Sequence, residues 1–337
     1  MEKFEKLLTI QDLCKYYPMG KAKKDGDKKE IILKAVDGVT FNIFKGENLG
    51  VVGESGCGKS TLGRCLLKLI DATDGKIIFN GEDITDLNSK GMIQYRKDMQ
   101  MVFQNPYSSF NPKKTIGKNL SEVAEFYGLK SKEAKERIQE LLQYVNMDTQ
   151  VLGRRCDELS GGQLQRLAVV RALIPNPKFI VADEPVSALD VSVQAQILNL
   201  LYDLKDQFHL TMMFISHELT VVEHICDRVM VMYLGGMVEI GVTEEIFGNT
   251  MHPYTKALIA SKPKDFPEEE KEQVILEGEV PSPTNVPTGC RFHTRCAECI
   301  KGKCDVEIPP LYKVADRHWV VCHKAKEAAK AYEEARK

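Results

Sequence analysis

One short run of residues carries the most specific chemical signal in the sequence. Residues 53–61 read GESGCGKST, which fits the pattern G-x-x-x-x-G-K-[ST]. Its glycines let backbone N–H groups turn inward around a phosphate, and an apolar helix predicted over residues 62–70 points its positive end at the same charge. Lys59 would neutralise the β and γ oxygens of a nucleotide, and the Ser60 hydroxyl would bind Mg²⁺. The residues expected to contact the nucleotide are Gly53, Ser55, Gly56, Cys57, Gly58, Lys59, Ser60 and Thr61.

Two acidic residues follow a predicted strand further along the chain. Residues 178–182 (KFIVA) form a short apolar run, and Asp183 and Glu184 come directly after it. At the carboxyl edge of a sheet beside the phosphate loop, Asp183 could hold Mg²⁺ through water, and Glu184 could take the proton of an attacking water. Acidic pairs after strands are common, but together with the loop this pair predicts a hydrolytic site.

Apolar patterning predicts the elements that must position these residues. Short runs rich in Val, Ile and Phe alternate with stretches of helical period, which is typical of an α/β protein with a largely parallel sheet. Buried strands are predicted at residues 48–52, 99–103, 179–182 and 211–216, and hairpin-like segments at 76–79 and 228–233 indicate an antiparallel flank. A helical insertion is expected at about residues 105–173, with Ser131 as the N-cap of a helix that runs to about residue 145.

Composition bounds the class of protein. The chain has 337 residues, with 46 Lys and Arg against 48 Asp and Glu, and a net charge of −2 at pH 7. Proteins that hold nucleic acid through their overall field are usually strongly basic, so we expect no nucleic-acid partner. No run of about 18 apolar residues is present, and the first residues are charged where a signal peptide would be apolar. We therefore expect a soluble, cytosolic chain, unless a partner holds it at a membrane.

Two segments look separate from the α/β core. Residues 21–30 (KAKKDGDKKE) are charged without an apolar anchor, which predicts a solvated loop. After residue 261 the composition shifts to proline and charge, which predicts a linker and an irregular tail that ends in an exposed helix over residues 324–337. We expect a nucleotide-binding domain over residues 1–261 and a regulatory or interface extension over residues 262–337.

Residues 159–163 read LSGGQ and open a predicted helix over residues 164–172. A Ser-Gly-Gly cap explains a helix start, but it does not explain this string close to the Asp-Glu strand end. Together with the phosphate loop, the string resembles the signature of ABC transporter ATPases, which implies their P-loop ATPase core, a parallel sheet with an antiparallel β flank and a helical insertion. In that family the signature of one subunit caps the ATP held by the phosphate loop of another. The residues that this implies are Ser160, Gly161, Gly162 and Gln163.

Further positions match motifs of the same family. Gln104 matches the glutamine that reaches Mg²⁺ and the attacking water, and Asp190 ends a string that resembles the loop crossing between two ATPase subunits. His217 matches the switch histidine that contacts the γ-phosphate. Tyr17 resembles the aromatic residue that stacks on adenine, although Tyr16 is an adjacent candidate. The resemblance thus implies catalytic roles for Glu184, His217 and Gln104, and Mg²⁺ ligands at Ser60, Gln104 and Asp183.

Longer strings narrow the resemblance. Residues 54–64, 100–112, 183–196, 252–258 and 281–296 are similar to the F-type ATPase subunit of oligopeptide and dipeptide importers. This implies a peripheral subunit at the cytoplasmic face of the cell membrane. The implied partners are a D-type ATPase, two transmembrane permeases and an extracytoplasmic peptide-binding protein. Nickel chelates are an alternative cargo, and ABC ATPases that act on DNA or ribosomes are an alternative class.

One loop is expected to meet the membrane subunit. In importers of this family, the groove near Gln104 receives a short helix from the permease. Residues 105–111, with the aromatic side chains of Tyr107 and Phe110, are the expected lining of this groove. The alternative interpretation is that the two aromatic residues only cover the local core.

The ten cysteines are unevenly spread. Five are expected to be small buried hydrophobes: Cys14, Cys57, Cys65, Cys156 and Cys226. The others crowd into a tail with few apolar residues, which predicts that the tail needs a staple to fold. Four thiolates suit a [4Fe–4S] cluster or Zn²⁺, and free thiols are the third alternative. The resemblance favours the cluster, with Cys290, Cys296, Cys304 and Cys322 as ligands and Cys299 as a possible further one.

Overall fold

A computed structural model describes residues 4–24, 27–187, 189–261 and 278–336. Its strands are β1 (Lys6–Lys24), β2 (Asp27–Phe44), β3 (Asn48–Val52), β4 (Asp74–Phe79), β5 (Glu82–Asp83), β6 (Met99–Val102), β7 (Phe179–Asp183), β8 (Thr211–Ile215), β9 (Arg228–Tyr233), β10 (Gly236–Val242), β11 (Tyr312–Ala315) and β12 (His318–Val320). Its α-helices are α1 (Lys59–Leu66), α2 (Ile93–Arg96), α3 (Ile116–Phe126), α4 (Ser131–Tyr144), α5 (Gly161–Leu173), α6 (Val191–Phe208), α7 (Leu219–Ile225), α8 (Thr243–Gly248), α9 (Pro253–Ala260) and α10 (Lys326–Glu334).

The chain divides into two compact units. The first unit comprises Met1–Leu7, Ile43–Asn48 and Asp86–Ser216, and the second comprises Leu8–Asn42, Leu49–Thr85 and His217–Lys337. The α/β class predicted from the sequence is confirmed in both. Among the described residues, no helix is both long enough and apolar enough to cross a bilayer.

The first unit is built on three parallel strands. β7 pairs with β6 on one side and with β8 on the other, and every residue of β7 and β8 is buried. Strands covered on both faces need continuous apolar runs, which is why the sequence signalled them clearly. Parallel neighbours end at the same sheet edge, so the residues after β6 and β7 are brought together. Helices α3, α4 and α5 lie within the stretch over which a helical insertion was predicted, and α6 follows β7 outside that stretch.

The second unit contains two sheets. In one, β3 lies parallel to β9, β9 is antiparallel to β10, and β12 joins β10 antiparallel with β11 outside it. In the other, the strand order is β2-β1-β4-β5. The antiparallel flank expected from the hairpin-like segments is therefore present. The phosphate loop leaves the end of β3 and enters α1.

Three local predictions differ from the structure. Residues 21–24 and 27–30 belong to β1 and β2, not to a loop, because strand pairing uses main-chain groups, which charged residues carry as apolar residues do. Residues 25–26 lie outside the described residues. Lys130, not Ser131, caps α4, since the extended Lys130 donates its N–H to Glu133 Oε2 at 2.9 Å. Helix α1 begins at Lys59 and ends at Leu66, and Lys68 has a left-handed φ of +50°.

The tail is less irregular than the sequence predicts. The linker predicted after residue 261 lies mostly outside the described residues, which resume at residue 278. Beyond it, β11 and β12 extend a sheet of the second unit, and α10 forms where a terminal helix was expected. The buried His318 Nε2 bonds to the buried Glu239 Oε1 on β10 at 2.9 Å. Long-range pairing to β10 thus orders a segment with few apolar residues.

Candidate nucleotide-binding and hydrolytic site

The phosphate loop holds Lys59 from within. Lys59 is the first residue of α1, and its side chain is buried. Its Nζ donates to the carbonyl oxygens of Gly53 at 2.8 Å and Glu54 at 3.1 Å. These bonds fix the ammonium group inside the loop, next to the positive end of α1, where phosphate oxygens are favoured.

Two glycines make this loop possible. Gly53 and Gly58 have φ of +147° and +106°, a region that other residues rarely adopt. A Cβ on Gly58 would lie 2.0 Å from the carbonyl oxygen of Ala35, and one on Gly53 would lie 2.2 Å from that of Met232. Glycine is therefore required at both positions by backbone angle and by space.

The rest of the loop is close to α1. Ser60 and Thr61 lie in the first turn of that helix, and Ser55 and Gly56 are at the exposed tip of the loop. Burial raises the pKa of the Cys57 thiol, so this side chain stays neutral and fills space. Its carbonyl oxygen accepts from Gly235 N at 3.0 Å, which ties the loop to the turn between β9 and β10.

The two candidate adenine-stacking tyrosines have different surroundings. The Tyr16 hydroxyl donates to Asp37 Oδ1 and to Cys14 Sγ. Burial, and then Cys65 of α1, raises the pKa of Tyr17. The Tyr16 hydroxyl is thus bonded to Asp37, a residue that the sequence analysis did not identify.

The first unit brings a glutamine and a glutamate together. Gln104 Nε2 donates to Glu184 Oε2 at 2.9 Å and to Ser187 Oγ at 3.2 Å. Ser187 Oγ in turn donates to the carbonyl oxygen of Glu184 at 3.1 Å. Glu184 has a φ of +46°, which is strained for a residue with a side chain, and strain of this kind clusters at functional sites. The parallel pairing of β6 with β7 places these groups at one sheet edge.

Asp183 and His217 also follow parallel strands. Asp183 is the last residue of β7 and is only 3% exposed. His217 lies two residues after β8 and is exposed. Asp190 is the exposed N-cap of α6, at the end of the Ser187–Asp190 string in which Ala188 is outside the described residues.

The signature string forms a helix N-terminus. Ser160 caps α5: its Oγ accepts from Gln163 N at 3.3 Å, and Gln163 Oε1 accepts from Ser160 N at 3.1 Å. Gly161 and Gly162 form the first turn and are half-buried, whereas the Ser160 and Gln163 side chains are exposed. An accessible N-terminus of a 13-residue helix favours a negatively charged ligand.

Three features together define an ABC-type ATPase. They are a phosphate loop after a parallel strand, a carboxylate held by a glutamine at the end of another parallel strand, and an LSGGQ string at a helix N-terminus. Residues 36–187 match the family model described as ABC transporter, and residues 238–304 match the one described as Oligopeptide/dipeptide transporter, C-terminal region. The chain therefore belongs to the family of ATP-binding subunits of oligopeptide and dipeptide ABC transporters, and it is an ATPase.

Named relatives agree with this family. The chain is 46% identical over 326 residues to the oligopeptide transport ATP-binding protein AppF of Bacillus subtilis (strain 168), covering 95% of this chain and 97% of that protein. It is 44% identical over 328 residues to OppF of Salmonella typhimurium, covering 96% and 98%. The solved structure of the ATP-binding cassette MJ0796, dimeric and bound to ADP and Pi, matches with a TM-score of 0.62 at 27% identity, covering 70% of this chain and 98% of that chain.

The prediction of a [4Fe–4S] cluster is wrong. Within the described ranges, no three His, Cys, Asp or Glu side chains are grouped so that they could hold a metal ion. Neither AppF nor OppF is described as an iron–sulfur protein. The same finding leaves the zinc alternative without a site.

The surroundings of the tail cysteines give the physical reason. Cys290, Cys296, Cys304 and Cys322 line a cavity of only about 10 Å³, close to the minimum for one water. Burial, reinforced by the neighbouring thiols, raises the pKa of Cys290 and of Cys296 to about 11. The tail is instead fastened by protein contacts, such as the pairing of β12 with β10.

Proposed function

We propose that this chain hydrolyses ATP to power the import of di- and oligopeptides across the cytoplasmic membrane. The observation that carries the proposal is the loop that encloses Lys59, in a chain 44% to 46% identical to the two named oligopeptide transport proteins over nearly its whole length. The chain would act as a peripheral subunit at the cytoplasmic face.

Nucleotide binding is assigned to the phosphate loop and to Tyr17. Lys59 neutralises phosphate oxygens, and the loop N–H groups donate to them. Tyr17 is the better candidate for stacking on adenine, because the Tyr16 hydroxyl is bound to Asp37.

Hydrolysis is assigned to Glu184 as the general base. The bond from Gln104 orients its carboxylate, and the bond from Ser187 to its carbonyl oxygen holds the strained backbone. A positioned base accepts the proton of water as that water attacks the γ-phosphoryl group. His217, exposed after β8, is assigned to the γ-phosphate.

Mg²⁺ fits the chemistry of three oxygen donors on this chain. Mg²⁺ prefers oxygen ligands and is usually held by one or two carboxylates with phosphates and water, so it does not need a cluster of acidic side chains. When bound, it neutralises charge on the phosphoryl oxygens. The side chains that would hold it are Ser60, Gln104 and Asp183.

The signature is assigned to a nucleotide held by a second ATPase. Its accessible helix N-terminus supports contact with a phosphate outside this chain. We infer a D-type ATPase as that partner, with Asp190 crossing between the two subunits. Two permeases and an extracytoplasmic peptide-binding protein complete the importer.

A groove in the first unit is assigned to the permeases. It has a volume of about 530 Å³, and Ser108, Ser109, Phe110 and Asn111 line part of it. Phe110 itself is buried and closes the local core, while Phe126 of α3 is 68% exposed at the same groove. An exposed aromatic ring beside a groove of this size suits a short amphipathic helix.

Co-purification in detergent tests the assembly. The chain should elute with two hydrophobic permeases and a second ATPase, and Phe126→Ser should weaken that association. Tyr202→Ser, on an exposed aromatic of α6 outside the groove, is the matched control. Salt-sensitive binding to DNA or ribosomes in place of the permeases would refute the transport function.

A further inference from the structure

An arginine of the C-terminal region forms an ion pair with the phosphate loop. Arg295 Nη1 lies 3.1 Å and 3.0 Å from the two carboxylate oxygens of Glu54. The Arg295 side chain is 6% exposed and that of Glu54 is 24% exposed. A pair this sheltered from water is screened less than a surface pair. It joins residues 241 positions apart within the second unit.

Glu54 is also bonded through its main chain. Its N–H donates to the Tyr254 hydroxyl at 3.0 Å, and its carbonyl oxygen accepts from Lys59 Nζ at 3.1 Å and from Cys57 N at 3.2 Å. The residue paired with Arg295 therefore carries one of the two carbonyl groups that hold the phosphate-binding lysine.

Arg295 is well anchored at its own end. It ends the short 3-10 turn His293–Arg295, and its guanidinium lies 5.9 Å from the ring centroid of Tyr233. Tyr233, Tyr254 and Phe292 form an aromatic cluster with centroid distances of 4.7 to 5.3 Å. The arginine thus extends from a packed base, which limits its freedom and favours a fixed position for Glu54.

A second arginine of the same segment supports the neighbouring backbone. Arg291 Nη2 donates to Asp37 Oδ2 at 2.8 Å, and Arg291 Nη1 donates to the carbonyl oxygen of Leu234 at 2.8 Å. Gly235, the residue after Leu234, donates its N–H to the carbonyl oxygen of Cys57 in the phosphate loop. Arg291 therefore reaches the loop only through other groups, whereas Arg295 contacts it directly.

We propose that Arg295 is a positioning residue for nucleotide binding: it holds Glu54, and through Glu54 the loop conformation that presents Lys59. This rests on the proposed assignment of nucleotide binding to the phosphate loop. Through the contact of Arg295 with Glu54, the C-terminal region then stabilises one conformation of the phosphate loop. Losing that contact lets the loop sample conformations that do not bind phosphate, so affinity falls while the chemistry of bound ATP, assigned to Glu184, is kept.

Binding of Mg-ADP to the full chain and steady-state ATP hydrolysis by the assembled transporter test this. Arg295→Gln should weaken Mg-ADP binding by about 5- to 30-fold and raise KM for ATP similarly, with kcat changed less than about twofold. Arg295→Lys should recover most of the affinity, because one Arg295 nitrogen contacts both Glu54 oxygens and an ammonium group can replace it. Lys324→Gln, which removes the exposed ion pair with Glu298 in the same region, is the matched control.

A double-mutant cycle decides between direct positioning and general damage. Glu54→Gln should match Arg295→Gln, and the double variant should lose no more affinity than either single variant. Additive losses, unchanged Mg-ADP affinity in Arg295→Gln, or a fall in kcat at constant KM would each overturn the proposal. If Arg295→Gln does not fold, Glu54→Gln and Arg295→Lys decide alone. A wild-type chain that binds Mg-ADP but hydrolyses no ATP even in the assembled transporter would refute the proposed function and leave the binding test valid.

Discussion

Gln104 donates a 2.9 Å hydrogen bond to the carboxylate of Glu184, across the edge where β6 and β7 end. The two residues are 80 positions apart. The bond orients a carboxylate whose own backbone is held at a φ of +46°. A carboxylate fixed in this way is suited to accept a proton from one direction.

Replacing this carboxylate should separate binding from turnover. Glu184→Gln should reduce ATP hydrolysis in the assembled transporter by roughly 10²- to 10⁴-fold, because it removes the proposed general base and no proposed phosphate contact. Lys59→Ala should instead abolish tight ATP binding. Glu136→Gln, on the exposed face of α4, is the control and should change neither. Normal hydrolysis by the Glu184 variant would show that the base is elsewhere.

Replacing either of two phosphate-loop glycines with alanine should lower the free energy of unfolding by different amounts. Gly58→Ala should lower the free energy of unfolding by about 2–6 kcal/mol, because backbone strain adds to the clash with Ala35. Gly56 has a φ of +77°, but a Cβ added there would meet open space. Gly56→Ala should therefore lower the free energy of unfolding by only about 1–2 kcal/mol. Urea denaturation of both variants measures the difference. Equal losses would mean that the contact with Ala35 relaxes freely.

The sequence predicted best what local pattern encodes. The phosphate loop and LSGGQ are contiguous strings, and β7 and β8 are continuous buried runs. Both the kind of motif or element and its position in the chain could therefore be predicted directly. The end of α1 was missed because a left-handed residue, Lys68, stops the helix inside a run that remains apolar.

Pairs of residues far apart in the chain could not be predicted from the sequence. The pairing of Glu54 with Arg295, and that of Glu239 with His318, each joins charged or polar residues with no local signal that names the partner. Without them the tail looked too poor in apolar residues to fold unaided. That reasoning led to the metal staple, whereas addition of β12 to β10 supplies the missing contacts.

His252 should make stability depend on acid pH. Burial lowers its pKa to about 4, although Glu239 and Glu298 oppose the shift. Unfolded histidine titrates near 6.5, so between pH 6.5 and 4 the unfolded chain binds a proton that the folded chain does not. The free energy of unfolding should therefore be about 2 kcal/mol lower at pH 5 than at pH 7.5 through this group.

Denaturation at the two pH values checks this assignment. His252→Asn, which keeps a side-chain acceptor for Tyr254 N, should remove about 2 kcal/mol of the pH difference. His209→Asn, at the exposed end of α6, should leave the difference intact. An unchanged difference in the His252 variant would assign the pH dependence to other groups.

The isolated chain should be a weak ATPase. Under the proposed assembly its phosphate loop needs the signature of a second subunit, so turnover per molecule should fall on dilution and rise when a D-type ATPase, the inferred partner, is added. Measuring specific activity over a hundredfold range of protein concentration tests this. Full activity at the highest dilution would argue that one chain completes its own site.

Peptide uptake by proteoliposomes tests the central claim most directly. The vesicles would contain the two permeases, the D-type ATPase and this chain, with the binding protein and a labelled oligopeptide on the side opposite Mg-ATP. We expect uptake that requires ATP and is lost when this chain carries Glu184→Gln, while a nickel chelate is not taken up. ATP-dependent uptake that persists with the Glu184 variant, or transport of the chelate but of no peptide, would contradict the account.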